Sequence, residues 1–503
     1  MRRTIGVLAA ALLVAGCSSG AATSGGTKQT LLRLPAPSDV GSWDPAAHSA
    51  SDLPAFGFFQ AVFSTLTTIE PDLSVGPGLA KSWSYDKPKT TLRLTLRSGV
   101  TFTDGTPFNA GVVKANLERD LAKKGQAAIG LKAISGVTAT NANEVTVKLA
   151  APDPALLYTF GLIPGAMISP KSFSSAATKP VGSGPYVLDA GKSTHGSSYL
   201  FTRNAKYNQP LKFGFDSIQY RVVADSNAQV TTLTSHQVDT GGVTIAGRKS
   251  VQAAGLSTAP VSGLITGMFI VDRAGTANPA LGKVKVRQAI NYALDAQGLL
   301  DSFGGKSGKR TTQMFAAGTP AYDAALNSKY PYDPEKAKQL LAEAGYPNGF
   351  ALHLPSENTY APALYPIISQ ELAKVGIKVT YSPVSANEIT PQYLSGKFPA
   401  FMFTYTATQN WVDTTALLTK EAPFNPFHVA DPTVAKLTTQ IAVADADQQA
   451  TLFKQLNAYV VDQAWFAPLY VNTSYLVWDK SKVSISLVKG QEFAFLYQYK
   501  PAK

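Results

Sequence analysis

From Leu31 to about Thr266 the apolar positions come in short runs with a period of two. Thr91 to Arg97 sets Leu92, Leu94 and Leu96 against polar neighbours, the alternation of a half-buried strand, and Val145 to Leu149 repeats it. Between them Asn109 stands at an N-cap position ahead of a helical face carrying Val112, Val113, Ala115, Asn116 and Leu117. The stretch from Pro152 to Pro185 is rich in Pro, Ser and Gly, and it predicts loops. From about Val284 to Val461 the period changes to that of helices. Val284 to Leu300 carries Val286, Ala289, Ile290, Ala293 and Leu294 on one face. Asp333-Pro334-Glu335 supplies an N-cap, a first-turn proline and an early acid for a helix that Gly345 ends. Ala363 to Val375 predicts a third helix, and Ile377 to Tyr381 predicts the strand after it. Asp431-Pro432 caps a fourth helix. A fifth follows Asp447, with Leu452, Phe453, Leu456, Tyr459 and Val460 on one side. Strands alternating with helices predict an α/β fold with partly parallel strands, and no internal repeat is visible.

The N-terminus has its own grammar. Arg2 and Arg3 precede an apolar run, Ile5 to Ala15, of about eleven residues, which suits a signal peptide and is too short to span a bilayer. It ends in Val14-Ala15-Gly16-Cys17, which resembles a bacterial lipobox. On this reading residues 1–16 are removed and Cys17, the only cysteine, carries a lipid. A chain starting there has no internal disulfide and no thiol nucleophile. Residues 17–28, mostly Ser, Gly, Ala and Thr, lack the apolar surface to fold and predict a flexible tether. The expected location is the outer face of the cytoplasmic membrane.

With 503 residues and 45% hydrophobic content, the chain is long enough for two or more cores. The formal charge of +12, of which two units belong to Arg2 and Arg3, raises nucleic acid as a partner. The basic residues are scattered, however. Their tightest cluster, Lys306 to Arg310, is short and lacks interleaved aromatics, so a solvated loop is expected and no nucleic acid. Motifs of catalysis fail in turn. Gly242 to Ser250 nearly spells a phosphate-binding loop, but Arg248 occupies the lysine position and no clear strand leads in. Gly305-Lys306-Ser307 lacks the earlier glycine. The five histidines show no metal-ligand spacing, and Gly182-Ser183-Gly184-Pro185 is not a nucleophile elbow. Neither an enzyme nor a cofactor is expected.

Five segments, in order, resemble the peptide/nickel-type family 5 of extracellular solute-binding proteins. They are Leu79 to Trp83 with Leu94 to Leu117 (LTLRSGVTFTDGTPFNAGVVKANL), Val181 to Tyr186 with Arg203 to Tyr207, Val284 to Asp295 (VKVRQAINYALD), Tyr332 to Gly345 (YDPEKAKQLLAEAG) and Phe466 to Tyr470. Their residues read as structural: Asp104-Gly105 as a hairpin turn, Gly184-Pro185 as a strand entry, Arg287 and Asp333 as holders of helix ends. The resemblance implies a periplasmic-binding-protein-like α/β fold, two lobes with an extra subdomain in the first and two crossover strands. The expected division is 29–265 for the first lobe (subdomain about 46–179), 266–472 for the second, and 473–503 returning to the first. Crossovers are expected near Gly263 to Arg273 and Trp465 to Tyr475. The implied partners are a ligand closed between the lobes and the permease subunits of an ABC importer, with the binding protein a monomer.

Peptide-binding members pair the ligand's amine with an aspartate a few residues after a tryptophan. The matching region here is Tyr405 to Leu418 (YTATQNWVDTTALL), with Trp411 and Asp413 as candidates. The spacing is short and the family's Asp-Pro is absent, so Asp413 equally suits a helix N-cap or the motif's later aspartate. Tyr405, with Phe401 and Phe403 nearby, and Phe269 on the first crossover complete the candidate pocket. A peptide is the expected ligand. The alternatives are another solute (sugar, opine, metal chelate or haem) on the same fold, or a surface sensor without an importer.

Overall fold

The computed structural model describes residues 30–304, 308–357, 363–385, 388–487 and 494–503. Cys17, the tether and Gly305-Lys306-Ser307 lie outside them. The strand Leu31–Ala36 runs parallel to Ser217–Val222, and Ser198–Arg203 and Tyr186–Leu188 extend the sheet antiparallel. Alternation turns Leu32, Leu34 and Ala36 inward. Helix Leu53–Val62 covers them with Phe56, Phe58 and Phe59, and Trp43 meets Phe58 and Tyr199 edge-on. Val483, Phe495, Leu496 and Tyr499, from the far end of the chain, complete this same core.

A second sheet in this half, in the order Ala80–Tyr85, Thr91–Leu96, Glu144–Leu149, Ile134–Asn141, is wholly antiparallel. Leu92, Leu94, Leu96, Val145 and Val147 all point to one face, which helix Ala110–Lys123 closes. Asn109 caps that helix through its side chain, accepting from Val112 N at 3.1 Å. This sheet and its helix are the extra subdomain. It is joined to the first-lobe core by short-range geometry. Asp104 Oδ2 accepts from Ser169 Oγ at 2.6 Å, beside a turn in which Gly105 has φ +84°. Gly182 and Gly184 pass so close to Val62 that a Cβ would stand 2.0 Å and 2.4 Å from its backbone atoms.

The helical half is the second lobe. Val284–Ala293, Pro334–Glu343 and Leu364–Ala373 pack around the parallel pair Ala351–Ser356 and Lys378–Pro383. Asp333 caps its helix through Lys336 N at 2.9 Å, and Arg287 donates to the carbonyls of Leu281 and Gln463, the latter closing helix Ala446–Asp462. Three details depart from the sequence reading. The helix from Val284 stops at Ala293, because Leu294 is extended and Asp295 caps a new short turn. The fifth helix starts at Ala446 under an Asp445 cap, two residues before Asp447 could serve. A strand, Thr240–Val243, does lead into the near-miss phosphate motif, but Thr244 alone separates it from helix Ile245–Ala253, leaving no loop to cradle a phosphate.

Two long antiparallel strands, Ser257–Ile270 and Phe466–Trp478, link the halves. One end pairs with Thr240–Val243 and packs on Leu233, Val238 and Val251. The other pairs with Ala400–Thr406 inside the second lobe. Their register shifts twice, between Ser262 and Leu264 and between Thr266 and Gly267.

One buried charge in the first lobe makes a pH prediction. His48 faces Asp52 Oδ2 through Nδ1 at 2.6 Å and the Ser42 carbonyl through Nε2 at 2.8 Å, so both ring nitrogens donate and the ring is an imidazolium. Burial alone would lower its pKa, but the bonds to Asp52 and Ser42 and the nearby Asp44 carboxylate raise it above the ordinary value. A raised folded pKa gives stability that is complete in acid and is lost as pH climbs through that value. Urea midpoints of the wild type and His48→Gln should therefore differ most near about pH 5 and converge towards about pH 9; a constant difference would contradict the imidazolium.

Candidate functional site

The crossover ladder leaves a cleft between the lobes, and helix Asn410–Leu417 of the second lobe reaches across it. Its local sequence explains how it starts. Gln409 is extended, and its side-chain oxygen accepts from Trp411 N at 2.8 Å and Val412 N at 3.0 Å, an N-cap made by a glutamine. Val412 packs on the apolar core of the first lobe. Trp411 stands beside Asp153 of the first lobe, whose pKa is raised by burial against the opposing pull of Ala155 N, Lys132 and the Trp411 side chain. Lys89 Nζ of the first lobe donates to the Ala444 carbonyl at 2.5 Å, a hydrogen bond between the halves. These contacts describe a closed arrangement.

A cavity of about 330 Å³ lies in the cleft. Its first-lobe wall is the turn 71–74. Its second-lobe wall is formed by residues 316–320, residues 407–410 and the N-terminal half of helix Ala446–Asp462. Among the described residues Asp72 is the one charged side chain on these walls, and its Oδ1 is occupied by Ser74 N at 3.0 Å and Ser74 Oγ at 2.6 Å. The rest is apolar, with Leu73, Phe453, prolines and alanines, set with the hydroxyl and amide groups of Ser74, Thr319, Thr408, Gln409, Asn410 and Gln449.

Asp413 lies behind the 407–410 wall, with 0% exposure. Tyr405 OH donates to its Oδ1 at 2.9 Å, and Thr408 N lies 3.1 Å from both carboxyl oxygens, with Thr408 Oγ1 at 3.3 Å. Burial pushes its pKa up to about 7 against the pull of those donors. The carboxyl thus ties the strand Ala400–Thr406 to the helix after it and fixes the wall between them. Tyr405, Trp411 and Asp413 are brought together in this one corner, Tyr405 inward and Trp411 across the cleft. Phe269 is set apart from the cavity. It is fully buried, with ring centroids 5.0 Å from Phe466, 5.4 Å from Phe403, 5.5 Å from Phe401 and 6.1 Å from Tyr405. Sequence reasoning missed Asp153 and Asn410. Asp153 is distant in sequence from its partner. Asn410 sits inside the quoted YTATQNWVD segment, but nothing in its type marked it.

Residues 74–421 match the family model of the bacterial extracellular solute-binding proteins, family 5 Middle. Glutathione-binding protein GsiB of Escherichia coli O1:K1 / APEC is 32% identical over 357 residues, 68% of this chain and 67% of its own length. Among solved structures, NikA from Brucella suis, in complex with Fe(III)-EDTA, superposes with a TM-score of 0.78 at 22% identity, covering 94% of this chain and 99% of its own. DppA from Helicobacter pylori, in complex with the peptide STSA, gives 0.76 at 19%, with the same coverage. These superpositions show a shared periplasmic-binding-protein fold. Among the described residues no helix is long and apolar enough to cross a membrane.

The sealed Asp413 carboxyl predicts its own pH signature. Its folded pKa is about 7 and its unfolded one ordinary, about 4. Between those values the folded chain holds a proton that the unfolded chain has lost, so wild-type stability falls as pH rises across the window. Asp413→Asn removes that slope. Chemical denaturation of the two proteins at about pH 4 and pH 8 should show the wild type losing ground to the variant; equal slopes would mean that Asp413 stays charged.

Proposed function

This chain belongs to the bacterial extracellular solute-binding proteins, family 5, the binding components of ABC importers, and we propose that it captures a short peptide between its lobes. The observation that carries the reading is the cleft. A cavity whose second-lobe wall sets uncharged amide and hydroxyl groups among apolar side chains is closed by Trp411 and Val412 from the second lobe against Asp153 and the core of the first. Its chemistry suits backbone amides, which need donors and acceptors more than charges. A glutathione-binding relative and a peptide-bound structural neighbour support the same class. Trp411 bridges the cleft, while Tyr405 and Asp413 act from behind by fixing the 407–410 wall. The protein binds and releases its solute without chemistry on it. We divide the chain into a first lobe to about residue 265, a second from 266 to 472, and a return from 473 to 503. The Ser262/Leu264 register shift serves as the hinge.

The lipobox at Val14 to Cys17 and the Ser/Gly-rich tether make the exported protein a lipoprotein held at the membrane. It meets its permease there as a monomer. Fractionation tests this: the wild type should sediment with membranes, whereas exported Cys17→Ala protein should be soluble. Membrane-bound Cys17→Ala would refute the anchor.

A thermal-shift screen of glutathione, tri- and tetrapeptides, Fe(III)-EDTA and sugars tests the ligand class. A ligand that binds only the folded, closed protein raises Tm by mass action, about 2.7 kcal/mol of stabilisation at a hundred times Kd. Peptides are expected to shift Tm and to shrink the radius of gyration in solution scattering. A shift by the chelate or a sugar alone would replace the peptide reading with another solute.

A further inference from the structure

Asn410 is 3% exposed, opens the helix at the cleft, and lines the cavity. Its Oδ1 accepts from Ala321 N at 3.0 Å. A backbone N–H can only donate, so this bond fixes the orientation of the amide and leaves Nδ2 as the free end. Nδ2 is buried and has no hydrogen-bond partner among the described residues. A buried amide N–H without an acceptor costs roughly 1–3 kcal/mol, a cost that a bound acceptor removes. The group also stands at the positive end of an eight-residue helix, where the macrodipole favours negative charge. Among the described residues of the same wall no carboxylate reaches the cavity, because Asp413 is sealed behind Thr408 and Tyr405. The one acid on the lining, Asp72, belongs to the opposite wall.

We propose that the second-lobe wall of the cleft receives a ligand oxygen, a carbonyl or carboxylate, on Asn410 Nδ2, and that it has no place for a ligand ammonium. This rests on the cleft being the binding site and specifies which end of the solute meets this wall. A peptide therefore lies with a carbonyl or its C-terminal carboxylate at the start of the Asn410–Leu417 helix.

Asn410→Asp is the discriminating variant. It keeps an oxygen for Ala321 N and replaces only the free donor by an acceptor, so Tm should stay within a few degrees of wild type. In isothermal titration at pH 8 its affinity for glutathione and trialanine should fall about ten- to a hundredfold. Affinity should recover towards pH 5, where a buried carboxyl takes up a proton and becomes a donor again. Wild-type-like or tighter binding by Asn410→Asp at pH 8 would overturn the proposal. A second readout does not depend on the solute. In nitrogen-15 spectra the Asn410 side-chain pair, assigned by its loss in Asn410→Asp, should move with sodium acetate and not with methylammonium chloride. No movement with acetate would also overturn it. If acetate shifts the pair but neither peptide binds, the peptide reading has failed and the acceptor site stands.

Discussion

Every feature of the cleft hangs on one ladder, the pairing of Ser257–Ile270 with Phe466–Trp478. Two strands that serve both lobes must satisfy two cores at once, and the side-chain period of two leaves little freedom to do so. The register shifts resolve the conflict. At the second, Gly267 faces Pro468 so closely that a Cβ would stand 2.6 Å from the proline Cα. Pro468 has no N–H to give the ladder, a defect normally kept to edges or bulges. Leu469 is the residue left over, and its side chain joins the second-lobe core. The first shift falls where the neighbours of the ladder change. Below it Thr240–Val243 completes the sheet, and above it Ala400–Thr406 does. A ladder weakened where the two cores part is where a rotation between them costs least.

That geometry decides what the second lobe can present. Ala400–Thr406 pairs with the crossover through Phe401, Phe403 and Tyr405, and the aromatic cluster around Phe269 locks it. The chain then leaves the sheet, turns through residues 407–409, and enters the helix that meets the first lobe. Such a turn exposes backbone N–H groups that a buried wall must satisfy. Asp413 and Gln409 do this from within the segment, Asp413 for Thr408 and Gln409 for Trp411 and Val412. A near-neutral carboxyl suffices, because its work is to accept hydrogen bonds. A permanently charged one at the same place would lack a counter-cation.

Much of the fold was legible because it is written in local rules. Asn109, Asp333 and Asp431 cap the helices their spacing announced, and the Leu92-Leu94-Leu96 alternation turns inward as a strand should. The exact start of the Ala446–Asp462 helix was missed because Asp445 and Asp447 are equally good caps in isolation. Tyr405, Trp411 and Asp413 were singled out through the segment they share, yet the different places they take around the cavity were hidden. Whether a residue faces the cavity or backs it depends on a turn that periodicity does not encode. Phe269 shows the same limit: an aromatic on a crossover strand reads alike whether it lines a pocket or fills a core.

The separation between fold and ligand in this sequence has a physical cause. Gly182 and Gly184 are needed where the chain brushes Val62, Asp104 where a turn meets Ser169, and Arg287 where two carbonyls need a donor. None of these lies on the cavity, and each tolerates few alternatives, so they mark the fold strongly. The cavity wall obeys a looser constraint. Asp413 and Gln409 hold its backbone, and position 410 needs only a side-chain oxygen for Ala321 N, which an acid or an amide supplies. A scaffold braced in this way can change its solute by exchanging a few wall residues, and an acid or an amide at position 410 would face the cleft from the same place. The identity of such a residue therefore speaks about the ligand, while the motifs around it speak about the fold.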